Sequence, residues 1–263
     1  MKSLGPFISE ARGVVSALRE ELDPTSVGPI LVTGMLAEQL ARQLAEGSEP
    51  DAVAFIDPGP LARSAALVHV IAGAPSADDG GLLARADRHG VPVILIQLWP
   101  QEDWSEPFVL TPFVVECRAG EGFPISEIAA RIVEAVEDPV ALGRRVPVLE
   151  DKVTSAVVGT TVIRSAVLAS VGRRSRAARP LITLEQIRML AELRTLKGAS
   201  AGPEALKAFA PIAAGVVGAG FVFRGAARVA RRTLPAPLVD AAVAAVGTWA
   251  VGEAFRRLEE RGT

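Results

Sequence analysis

The 263-residue chain has one cysteine, two histidines and no tyrosine. A lone Cys117 excludes a disulfide framework and a cysteine-rich zinc site. His69 and His89 leave few imidazole ligands for any metal. Lysine is missing over a long stretch: after Lys2 the next is Lys152. A secretory signal is not expected in the opening residues, because Glu10, Arg12, Arg19, Glu20 and Glu21 interrupt the stretch from Leu4 to Leu22. Phe7, Ile8, Val14, Val15, Leu18 and Leu22 instead fit a helical stripe that Asp23-Pro24 ends. The expectation is a packed amphipathic helix over residues 1–24 and a cytoplasmic address. What the chain does have is apolar material, 49% of its residues, enough for a core and against intrinsic disorder.

The net charge of −2 hides a division. Met1–Pro139 carries 9 Lys+Arg against 21 Asp+Glu, a net of −12, and Val140–Thr263 carries 19 against 9, a net of +10. Such asymmetry between halves predicts two modules. The basic one suits an anionic membrane surface, nucleic acid, or the acidic half of this or another copy. Aromatics are few among its arginines, which argues against a nucleic-acid stacking platform.

The acidic half, 25–139, alternates short apolar runs with helical patterns. Pro29–Thr33, Ala52–Ile56, Ala66–Ile71, Pro92–Ile96 and Phe113–Glu116 read as buried strands. Leu36, Leu40 and Leu44, then Asp78–His89, then Ser126–Val136 read as helices, the last stopped by Asp138-Pro139. Continuous apolar strands separated by helices predict a mostly parallel sheet covered on both faces. Its ligands would bind at the carboxyl ends of the strands.

The order of these elements resembles a small-GTPase-like domain of the Era/TrmE kind. Asp57-Pro58-Gly59 looks like a shortened Asp-Thr-Pro-Gly switch. Val93–Ile96 occupies the strand that should end in Asn-Lys-x-Asp, and Glu116–Gly122 looks like the Ser-Ala-Lys-x-Gly-x-Gly turn. The departures say more. Thr33-Gly34-Met35-Leu36 runs almost directly from strand to helix, with no lysine and no hydroxyl for Mg²⁺. Gln97-Leu98-Trp99-Pro100 replaces the base-reading motif. Losing cradle, metal ligand and base reader together removes most of a nucleotide's binding energy. The expectation is a degenerate G-domain with no catalytic residue, no metal and no cofactor. Gly34, Asp57, Gly59, Gln97, Trp99 and Arg118 are the vestigial pocket candidates. The sharper alternative is that Gly34, at a helix N-terminus, still attracts a phosphate.

Other chemistry-bearing residues have plainer readings. Asp78-Asp79 suits a helix start, and His89 before Gly90 suits a helix end. His69, inside an apolar strand, reads as a satisfied core histidine. Cys117 beside Arg118 is either a reactive thiol or, preferably, a small buried hydrophobe. Trp99 and Trp104 are either partner anchors or, preferably, a plug folded over the vacant pocket.

The basic half, 140–263, is helical and rich in Ala, Val, Gly and Arg. Val153–Val171 and Pro235–Arg257 read as helices, and Thr183-Leu-Glu-Gln186 has capping-box spacing. Phe209–Phe223 is uncharged but falls short of a span and contains Pro211, and Asp240 interrupts the last apolar stretch. Pro180–Met189, Gly215–Arg224 with Ala227-Arg228, and Ala245–Gly252 closely resemble the YcjF-type helical domain, although Leu196-Lys197-Gly198 stands where Tyr-Gly is frequent. The resemblance implies association with GTPase-like domains and with the inner face of a bacterial membrane, not a reaction. Arg173, Arg174, Arg176, Arg224, Arg228, Arg231 and Arg232 are the candidate membrane or partner contacts. The functional expectation is a non-enzymatic scaffold whose helical domain associates with itself, a separate intact GTPase or a membrane. A divergent nucleotide sensor or hydrolase and a peripheral lipid-binding module are the alternatives.

Overall fold

The computed structural model describes residues 27–55, 61–100, 113–118, 120–171, 178–198 and 235–262. The helix expected over residues 1–24 lies outside them. The chain divides into two compact units between Thr154 and Ser155. The first is a parallel α/β layer and the second is helical.

Five parallel strands form one sheet: β1 (Ile30–Gly34), β2 (Val53–Phe55), β3 (Ala66–Ala72), β4 (Val93–Leu98) and β5 (Val114–Cys117), in the order β2-β1-β3-β4-β5. The central strands are mostly apolar because both faces are covered, with Thr33, His69 and Gln97 as buried polar exceptions. Helix α1 (Ala37–Leu44) joins β1 to β2, and α2 (Ala77–Arg88) joins β3 to β4. The two connections step in opposite directions across the sheet, so right-handed crossing places them on opposite faces. Leu31, Leu67 and Ile71 accordingly pack under Leu82, Leu83 and Ala86 of α2. Ile30, Val32, Val68, Val70, Ile94 and Ile96 are fully buried on the other face, beneath α1 and α3 (Ile125–Ala135). Register fixes this choice, since a one-residue slip would turn every core side chain outward.

The first unit continues past the composition shift at Val140. Asp138-Pro139 ends no domain. Pro139 opens a short helix α4 (Pro139–Arg145), and Asp138 accepts a hydrogen bond from the Ala141 N–H. Arg145 on α4 ties the unit together. Its Nη1 donates to the Val27 carbonyl, its Nε donates to Glu49 at 3.2 Å, and its own carbonyl accepts the Glu49 N–H at 2.9 Å. Leu149 and Val153 are fully buried. Charge still segregates at this boundary. Residues 24–154 hold 9 Lys+Arg against 19 Asp+Glu, and residues 155–263 hold 16 against 7.

The second unit contains the rest of α5 (Glu150–Val171), α6 (Ala178–Leu196) and α7 (Ala236–Gly262). Helix α6 begins five residues before Thr183, so Thr183 lies inside the helix and is not its cap. Gln186 does not close a capping box; its Nε2 donates to Thr248 Oγ1 at 3.0 Å. The interior holds Met189, Leu190 and Leu193 of α6 and Val239, Val251 and Phe255 of α7. Gly252 lets α7 approach α5 closely, because a Cβ there would stand 2.8 Å from Val158 Cγ2. Ser165, Thr161 and Thr248 are buried, while Ile163, Val167, Leu238, Val246 and Trp249 are exposed. Beside its apolar interior, this unit therefore also buries small polar groups and leaves several large apolar ones exposed. Pro147–Val171 and Ala236–Arg257 are 25 and 22 residues long and, by length and composition, apolar enough to cross a bilayer.

Candidate functional site

Strand order reverses at β1 and β3, and in open parallel sheets that switch point is where a ligand crevice forms. Here the chain closes tightly over it. Strand β1 ends at Gly34, and α1 begins three residues later at Ala37. Gly34 has φ +92°, and a Cβ on it would lie 2.0 Å from the Val70 carbonyl oxygen. That oxygen accepts the Met35 N–H at 3.0 Å. The turn is thus bonded onto β3 instead of arching outward with converging N–H groups. Leu36, in the left-handed region at φ 55° and ψ 17°, precedes α1 and offers it no side-chain cap. Glu38 stands in the first turn and pairs with Arg42 at 2.9 Å. Its carboxylate takes the favourable place of an anion near the helix dipole. An open cleft of about 470 Å³ remains, lined by Gly34, Leu36, Ala37, Glu38, Arg42 and Phe55.

The pocket candidates scatter around this edge. Gly34 lines the cleft. Gln97 is buried on the α2 face of β4, in register with Ile71 and Glu116, and its Nε2 has no hydrogen-bond partner. Leaving a buried amide group unpaired costs about 1–3 kcal/mol. Trp99 does not plug the pocket. It is half-exposed, with φ 53°, and it does not line the cleft. Its backbone N–H donates to the Cys117 carbonyl at 3.1 Å, which holds the left-handed turn after β4. Arg118 is exposed beyond β5. Asp57, Gly59 and Trp104 lie outside the described residues, as do Arg173, Arg174, Arg176, Arg224, Arg228, Arg231 and Arg232. Cys117 is buried, and burial, with the Glu127 carboxylate nearby, pushes its thiol pKa up. It is the small hydrophobe expected.

One arrangement went unread in the sequence. Thr33 Oγ1 lies 2.8 Å from His69 Nδ1, and His69 Nε2 lies 2.8 Å from Asp79 Oδ1. Asp79 also accepts from the Ser76 N–H and hydroxyl, each at 2.7 Å, and Ser76 caps α2 in return. A carboxylate only accepts, so Nε2–H donates to it, and in the neutral imidazole Nδ1 accepts the Thr33 hydroxyl proton. The chain hydroxyl–imidazole–carboxylate has the connectivity of a nucleophilic relay. Thr33 and His69 are both buried, however, and neither lines the cleft on the α1 side. The relay therefore fastens the ends of β1 and β3 to the start of α2. The signal available in the sequence was positional: Thr33 and His69 share a face by alternation, and Asp79 follows Ser76 at capping-box spacing.

The fold and this edge define a doubly wound parallel α/β unit, with a closed turn at its switch point, followed by a helical unit. Comparison with known protein families, with curated proteins and with solved structures finds no match.

Proposed function

We propose that the chain is a non-enzymatic scaffold: a GTPase-like α/β unit without nucleotide machinery, joined to a YcjF-type helical unit that associates with further copies. The observation that supports this most is the bare turn between β1 and α1. Gly34 packs against β3 and Met35 bonds to it, residues 33–38 contain no lysine, and Glu38 already occupies the helix start. Phosphoryl transfer depends on positioned cations and donors around the phosphates, and this turn presents neither. Calorimetric titration of GTP, ATP and their diphosphates with Mg²⁺ is expected to give no binding heat. Micromolar affinity for any of them would favour the nucleotide sensor or hydrolase instead.

A second reading places the helical unit on the inner face of the cytoplasmic membrane. Two helices of sufficient length and apolarity support it, as does the outward apolar surface of α5 and α7. Arginines beside an anionic surface contribute about 1 kcal/mol each. Vesicles rich in phosphatidylglycerol are expected to float the protein better than neutral ones. Equal flotation on both would count against electrostatic docking.

A further inference from the structure

We draw no further inference here: the strongest candidate, the exposed apolar patch of Leu36, Phe55 and Trp99 at the carboxyl edge of the sheet, carries nothing, because nothing in the structure shows what covers it.

Discussion

Gly34→Ala is expected to cost about 4 kcal/mol, a large share of the roughly 5–15 kcal/mol that holds a typical domain folded. Two effects add. A left-handed backbone costs a residue with a Cβ about 1–2 kcal/mol, and Gly34 sits at φ +92°. The new Cβ would also meet the Val70 oxygen at 2.0 Å, which is backbone in the centre of the sheet and cannot rotate away. Relief requires β1 and β3 to separate, which strains the Gly34–Val70 pairing and the Met35-to-Val70 hydrogen bond. Gly81→Ala is the control. Gly81 lies inside α2, nothing stands within 4 Å of its Cβ position, and the substitution is expected to stabilise by about 1 kcal/mol through helix propensity. Urea denaturation of both variants checks the pair. A Gly34→Ala protein as stable as the wild type would mean that the turn is looser than its geometry indicates.

The same turn shows how much the sequence could reveal. The central strands β1, β3 and β4 were legible because each is a short, mostly apolar run with both faces buried. The tight crossover was legible because too few residues separate Thr33 from the periodic leucines. The expected end at Asp138-Pro139 was not one, since an Asp-Pro pair that stops one helix also caps the next, and only the Ala141 N–H on Asp138 decides between them. The capping box at Thr183 failed for a related reason: Thr183 and Gln186 have the right spacing, but the helix had already started and Gln186 turns to Thr248, 62 positions away. Trp99 differs from the plug expected, because it is exposed and does not line the cleft. Gly34 brings β1's turn onto β3, and the cleft that remains is lined by Leu36 and Phe55 on the α1 side, away from the Trp99 indole. Local pattern specifies elements; which side chains meet across elements depends on register and on long-range pairing.

His69 is the clearest case of such pairing, and its removal should have the second-largest effect. His69→Ala withdraws the acceptor from the buried Thr33 hydroxyl, removes one donor from Asp79 and leaves an imidazole-sized gap beneath α2. A lost buried side chain with an orphaned partner costs about 3 kcal/mol. Thr33→Val separates these contributions, because it removes the hydroxyl while keeping the volume, and about 1 kcal/mol is expected. The Asp79 end makes the network sensitive to acid. Burial pushes the Asp79 carboxyl up, but hydrogen bonds from the Ser76 hydroxyl and N–H and from His69, with the attraction of that ring, hold it below its ordinary 3.8 overall. A carboxyl whose folded pKa lies below its unfolded one contributes stability above the unfolded value and loses it as pH falls through the folded value. The stability gap between the wild type and Asp79→Asn should therefore be constant above about pH 5 and narrow below about pH 4. Urea midpoints measured from pH 3 to 7 decide this; a gap that stays the same width down to pH 3 would show that Asp79 contributes through its shape and not its charge.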